Sequence, residues 1–415
     1  RPSNDQGDIT MSFSTLPLSY CTNVHPGKTV DEVINGLSEH TAAVRKQLDA
    51  PMAAGLWLCR SAVSELLNDK AVLERLAQTL WQHDLCCYTL NAFPFGDFHS
   101  ERVKEQVYLP DWTSNERLNY TKDCARILAE LLPEGSEGSI STVPLGGKMN
   151  TTTPDFQAIC FHNLILLAKW LQELHESTGR LIRLAIEPEP LCEMSSIPED
   201  AVPLFRSLFE MAEALGDLPC VQEHIGLCFD VCHQAVVFED VTTSINQIVS
   251  SDIRINKVHI TNAVELQNPS DNAAGREALV SYVEPRYLHQ TFARMSDGSV
   301  VNRLDLNADD IRREPSDSFL QAETWRVHFH VPVYADELGP LKTTRPDLKA
   351  ALQAILELEY SPHLEVETYT WPVMPDSGTA ASSLSSQITR ELESAYDMLR
   401  ELSWMSPPSA CRTDV

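Results

Sequence analysis

From residue 17 onward, short apolar runs alternate with longer segments in which apolar residues recur at helical spacing. That pattern predicts parallel βα units rather than a sandwich. Eight runs read as strands: "PLSYCTNV" (17–24), "AAGLWLC" (53–59), "LCCYTLNAF" (85–93), "GSISTVPLG" (138–146), "RLIRLAIEPE" (180–189), "HIGLCFDVCH" (224–233), "INKVHIT" (255–261) and "HLEVETYTW" (363–371). Helical stretches such as "SAVSELLNDKAVLERLAQTLWQHD", "SNERLNYTKDCARILAELL" and "FQAICFHNLILLAKWLQELHE" lie between most of them. A last amphipathic helix over about 383–403 places Ile388, Leu392, Ala395, Leu399 and Leu402 on one face. Eight such units predict an α/β fold, a closed (β/α)8 TIM barrel.

One interval breaks the rhythm. About 100 residues separate "KVHIT" from "HLEVETYTW", where a βα unit needs roughly 30. An insertion after strand seven is therefore expected, forming a cap over about 264–325. Asp297-Gly298 between alternating runs signals a hairpin there. An extra strand, "WRVHFHVPVY", and a helix from about Pro346 to Glu359 follow. The polar stretch 1–12 is expected to be a disordered leader, 13–404 a single barrel domain, and 405–415 a disordered tail.

Composition narrows the partners. The 415 residues are 43% hydrophobic, enough for a large core, with 32 Lys and Arg against 59 Asp and Glu and a formal charge of -27. Such a charge repels a phosphate backbone or an anionic membrane surface, so nucleic acid is not expected as a partner. No apolar run reaches the roughly 18 to 20 uncharged residues that span a bilayer, so no membrane insertion is expected. The 11 cysteines form no even, regularly spaced framework, which suits a reducing, cytoplasmic location.

Barrel active sites lie at the C-terminal ends of the strands, so polar residues there carry the candidate chemistry. Strand five ends in Glu187, strand six in Asp230 with His233 three residues later, strand seven in His259 and strand eight in Glu367. Buried carboxylates persist only when hydrogen-bonded, paired or bound to metal. Two Glu, one Asp and one His from successive strands make a mostly oxygen donor set for one divalent ion, Mn, Mg, Co or Zn. Glu365 shares a strand face with Glu367, and the position nearer the strand end favours Glu367 as the ligand.

The order Glu, Asp-x-x-His, His, Glu on strands five to eight resembles the xylose-isomerase-like TIM barrels, a group that includes sugar-phosphate isomerases and ketose 3-epimerases. That resemblance implies that Glu187 and Glu367 are both ligands and the catalytic acid/base pair, with Asp230 and His259 as ligands and Glu193 and His233 in substrate binding. The arginine usual between the Glu187 and Glu193 positions of the epimerases is absent; Leu191 and Cys192 stand there. Five motifs in order, "NAFPFGDFH", "STVPLGG", "YLHQTF", "WRVHFHVPVY" and "EVETYTWPV", are similar to EboE, the TIM-barrel metabolite traffic family of the bacterial Ebo cluster. This implies a small polar metabolite as ligand and association with other Ebo-cluster proteins, without supplying a reaction.

Other residues stay open. His328 and His330 in "VHFHV" share a strand face; they either bind substrate or a second metal, or form a structural pair with a neighbour such as Glu323. His289 reads as structural. Asn91, His99 and Lys148 either line a polar pocket or serve surface loops. Cys228 and Cys232 flank Asp230 without a CxxC partner, which argues against thiolate ligation. The expected function is a metal-dependent isomerase or epimerase working by proton transfer. The alternatives are a non-catalytic metabolite carrier and, disfavoured by charge, an endonuclease IV-like phosphodiesterase.

Overall fold

A computed structural model describes residues 16–148, 154–314, 316–375 and 383–402. The expected leader and tail lie outside the described residues. In chain order the strands are β1 (Ser19–Cys21), β2 (Ala53–Trp57), β3 (Thr89–Asn91), β4 (Gly138–Thr142), β5 (Ile182–Ile186), β6 (Ile225–Asp230), β7 (Ile255–Ile260), β8 (Ala263–Gln267), β9 (Thr291–Arg294), β10 (Val300–Arg303), β11 (Thr324–His330), β12 (Glu337–Leu338), β13 (Leu341–Thr343) and β14 (His363–Val366). β1 to β7 and β14 close into a parallel barrel in the order β1-β14-β7-β6-β5-β4-β3-β2. Each barrel strand falls inside one of the eight expected runs and is buried along its length, as a sheet covered on both faces requires.

Helices lie between the strands and turn their apolar stripes inward. The helix expected over 61–84 is two helices, Arg60–Asn68 and Lys70–Gln82. Asp69 separates them, because its carboxylate accepts the Ala71 N–H at 2.9 Å and starts a new helix. The closing helix, Leu384–Glu401, buries Ile388, Leu392, Ala395 and Leu399 as its spacing predicts.

The insertion forms a six-stranded sheet in the order β10-β9-β11-β8-β13-β12. Its expected hairpin is the antiparallel pair β9 and β10, with Gly298 at φ +85° in the turn. The sheet reaches Thr343, well past the expected boundary at 325. The reason is that β8 pairs on both edges, with β11 and with β13, so the cap is incomplete without residues up to 343. Val264, Leu266, Trp325, Val327 and Phe329 give it a core of its own.

Inside the barrel, Lys257 and Glu365 form a fully buried ion pair at 2.6 Å. Glu365 also accepts a hydrogen bond from the Ser19 hydroxyl at 2.7 Å. Gly55 leaves the space that its carboxylate occupies, since a Cβ there would stand 1.5 Å from Oε2.

Candidate metal centre

Strand register assembles the centre. β6 and β7 place Asp230 beside His259, and β7 and β14 place His259 beside Glu365, with Glu367 just beyond the strand end. Glu187 follows β5 directly. One donor atom each from Glu187, Asp230, His259 and Glu367 lies within 4.8 Å of every other, and all four residues are buried. Nδ1 of His259 is 3.1 Å from Glu187 Oε1, 3.1 Å from Glu367 Oε2 and 3.4 Å from Asp230 Oδ2.

Three carboxylates thus face a single ring nitrogen, which carries at most one proton. Oε2 of Glu187 and Oδ2 of Asp230 are buried without a hydrogen bond. Burying unpaired carboxylate oxygens is costly, and a divalent cation removes that cost, so the donor set fits one. On its other side, His259 presents Nε2 at 3.4 Å to Glu365 Oε1, a close charged neighbour without a hydrogen bond. Of the two glutamates on this strand face, Glu367 joins the donor group and Glu365 stands behind the histidine.

The carboxylates differ in their surroundings. Oε1 of Glu367 accepts hydrogen bonds from the side-chain amides of Asn23 at 2.7 Å and Asn91 at 2.8 Å. Burial pushes Glu187 above the usual carboxylate range, opposed by His259. Burial pushes Glu367 the same way, but His259 and His330 together hold the group below that range. Burial also raises Glu189, to about 8.

A cavity opens over the centre. Glu187, Glu367 and His233 lie at its floor, while Phe93, Phe98, Tyr108, Tyr287 and Tyr369 give it an aromatic wall. Lys104 is the only Lys or Arg among its lining residues, and its ammonium pairs with Asp305. The insertion contributes Tyr287, Leu288, Gln290, His328 and His330 to the lining, so the cap sheet builds part of the site.

The structure brings most of the sequence candidates together. His233, His328, His330 and Asn91 line the cavity. Glu193 does not; it faces a separate groove with Phe156, Phe161 and Met211. Leu191 turns the chain at φ +61°, and the strand-like bridge between Cys192 and Gly147 then carries Glu193 away from the barrel mouth. Glu189 takes the inward place instead. His99 supports the site from behind, its Nε2–H donating to the Asn23 carbonyl at 2.8 Å, and Lys148 is exposed. His289 is buried outside the cavity, stacked on Phe329. Cys228 lies near Glu187 and His259, but burial pushes its thiol up to about 12, so it is a neutral filler of the interior.

Sequence reasoning placed Glu189 at the strand's mouth without giving it a role, and missed Asn23, Tyr108 and Gln290. Glu189 carried a signal, standing two residues after Glu187 and so on the same face of an extended chain. Gln290 carried none, because only the folded cap brings it 3.2 Å from Glu189.

Fold and donor set together define a (β/α)8 barrel with a buried carboxylate–imidazole centre. The chain matches no protein-family model and no curated protein. Among solved structures it is similar to D-psicose 3-epimerase with D-tagatose from Clostridium cellulolyticum H10, at 11% identity over 94% of this chain and 100% of that one, with a TM-score of 0.48. It is also similar to a D-tagatose 3-epimerase-like protein, at 11% identity over 94% and 98% with a TM-score of 0.45. A third is the IolI protein with a binding zinc atom, at 12% identity over 94% and 100% with a TM-score of 0.44. Among the described residues no helix is long and apolar enough to cross a membrane.

Proposed function

We propose that this protein is a metal-dependent isomerase or epimerase that moves a proton on a small carbonyl or polyhydroxylated compound, with Glu187, Asp230, His259 and Glu367 as ligands of one divalent ion. The observation that carries this reading is the convergence of Glu187, Asp230 and Glu367 on Nδ1 of His259, with one oxygen of Glu187 and one of Asp230 buried without a hydrogen bond. A bound divalent ion supplies polarisation of a substrate carbonyl and the neighbouring hydroxyl. Asn23 and Asn91 hold Glu367 as a carboxylate and aim its second oxygen at the centre. Glu187, which faces Glu367 across Nδ1 of His259, would take the travelling proton. The aromatic wall and the cap exclude water from the intermediate.

The family resemblance supports a role in a secondary-metabolite pathway of the Ebo type, in the cytoplasm and beside other proteins of that cluster. Four of the five motifs supply cavity residues: Phe93 and Phe98, Leu288 and Gln290, His328 and His330, and Glu367 with Tyr369. A second reading, a carrier that binds a metabolite without turning it over, is favoured by the largely apolar upper wall. A phosphodiesterase is disfavoured by the charge of -27 and by a cavity whose single Lys is already paired.

The experiment is incubation of metal-loaded protein with ketoses, sugar phosphates and cyclitols in D₂O. Deuterium at carbon, lost in Glu187→Gln and Glu367→Gln, supports the enzyme. No incorporation with any of them, alongside tight binding of a pathway metabolite, establishes the carrier instead.

A further inference from the structure

The polar side chains around the cavity are largely committed to one another. Gln290 donates from Nε2 to the Tyr108 hydroxyl at 3.0 Å and to Glu189 Oε1 at 3.2 Å, and its Oε1 faces Nδ1 of His328 at 2.8 Å. The Tyr108 hydroxyl donates to Glu189 Oε1 at 2.8 Å. Asn91 gives its amide to Glu367 and receives the Phe93 N–H at 3.0 Å, and the Tyr287 hydroxyl donates to the Phe98 carbonyl at 3.4 Å. Two lining atoms stand apart. Oδ1 of Asn23 and Nε2 of His330 are buried without a hydrogen bond. Nδ1 of His330 donates to the Glu367 carbonyl at 2.7 Å, so in the neutral ring Nε2 is an acceptor. Both atoms lie next to the donor set, since Nδ2 of Asn23 holds Glu367 and Nε2 of His330 is 4.0 Å from Asp230 Oδ2. The cavity thus calls for hydroxyls at its floor and offers little to hydroxyls higher up.

Higher up, the wall is apolar. Phe98, Tyr287 and Tyr369 come from the loop after β3, the insertion and the segment after β14, and their ring centroids stand 5.0–5.3 Å apart. At these distances the three rings interlock, and Val103, Val107 and Leu288 continue the surface. A sugar carries hydroxyls along its whole length, and each one buried without a partner weakens binding. An apolar ring gains from the same wall. Charge narrows the ligand further. Glu187, Glu189, Asp230 and Glu367 stand at or beside the floor, whereas Lys104, the only Lys or Arg among the described lining residues, is paired with Asp305. A phosphate or carboxylate on the ligand would meet acidic groups and no free cation.

We propose that the substrate is an uncharged α-hydroxyketone whose reacting end lies at the donor set and whose remainder is an apolar ring, aryl or cycloalkyl, held by Phe98, Tyr287 and Tyr369, rather than a free sugar or a sugar phosphate. The two unpaired acceptors, Asn23 Oδ1 and His330 Nε2, match the two hydroxyls that this group carries once its carbonyl is enolised. One proton leaves the carbinol carbon and one returns, so no co-reactant is consumed.

This inference rests on the proton-transfer reading of the centre, and three compounds with one reacting group separate the two. Metal-loaded full-length protein is incubated in D₂O with α-hydroxyacetophenone, dihydroxyacetone and dihydroxyacetone phosphate. Deuterium uptake at carbon is followed by NMR, each kcat/KM is divided by the compound's uncatalysed rate, and binding of each is measured in parallel by calorimetry. The expected result is a value for α-hydroxyacetophenone about 10-fold or more above that for dihydroxyacetone, with the phosphate lowest, and a ratio that falls in Phe98→Ala and Tyr287→Ala through a raised KM for the aryl compound. Uptake that favours dihydroxyacetone or its phosphate overturns the substrate class and leaves proton transfer standing. Uptake with none of the three counts against proton transfer, and the calorimetry then decides the class: tighter binding of α-hydroxyacetophenone supports it, and equal, reversed or absent binding overturns it. Should the variants not fold, the wild-type series still decides.

Discussion

Nε2 of His259 stands 3.4 Å from Oε1 of Glu365, on the opposite side of the ring from the three carboxylates that converge on Nδ1. No hydrogen bond joins the two atoms, but the negative charge of Glu365 beside Nε2 favours the ring's proton there and its lone pair toward the centre. Glu365→Gln should lower metal affinity about 10- to 100-fold although it removes no ligand, as expected for a carboxylate behind a metal-bound histidine. Competition against a fluorescent chelator measures this, and unchanged affinity would show that Glu365 serves the barrel interior alone.

Removal of Glu365's cationic partner acts on stability. Lys257 and Glu365 are both fully buried, so Lys257→Met leaves a carboxylate unpaired in the barrel. Breaking a buried pair from one side costs about 3–5 kcal/mol, whereas replacing both partners with apolar groups is often neutral. Urea unfolding should show the single variant strongly weakened and Lys257→Met/Glu365→Leu substantially recovered.

Gly55 offers a steric test of the same region. The Cβ of Gly55→Ala would stand 1.5 Å from Glu365 Oε2 and 2.6 Å from Ser19 Oγ. Overpacking of this kind costs roughly 1–3 kcal/mol, and displacement of Glu365 should weaken metal binding as well. Gly96, where an added Cβ would meet no atom within 4 Å, is the control, and Gly96→Ala should change neither property.

Two buried histidines outside the centre set an acid limit. Burial lowers His25 and His363 to about 3. Both stay neutral in the folded protein while the unfolded chain takes up protons below about 6.5. Their contribution is thus complete above about pH 6.5 and is lost as pH falls toward 3. The slope is about 1.4 kcal/mol per pH unit for each histidine. His363→Asn, which can keep a polar contact with the Ser139 hydroxyl, should flatten the pH dependence of the urea midpoint in this window. An unaltered slope would assign the acid sensitivity to other groups.

The eight barrel strands were legible because a strand covered on both faces must be apolar along its length, and "AAGLW" or "GLCFD" has few other ways to be buried. Glu187, Asp230, His259 and Glu367 were legible for the complementary reason, as polar residues where those apolar runs end. Local sequence also determined the Asp297-Gly298 hairpin and the inward stripe of the closing helix. Tertiary structure alone decided the rest. The place of Glu365 beside the far nitrogen of His259 depended on the register of β14 against β7, although position along the strand already favoured Glu367 for the donor group. The outward course of Glu193 depended on the turn at Leu191, and the extent of the cap depended on β8 pairing along both edges. His328 and His330 became neighbours of His233 only when β11 folded across the barrel, 95 residues along the chain from its partner. Periodicity records whether a residue is buried, but contacts between distant segments are set by the packing of the whole chain, and no local pattern encodes them.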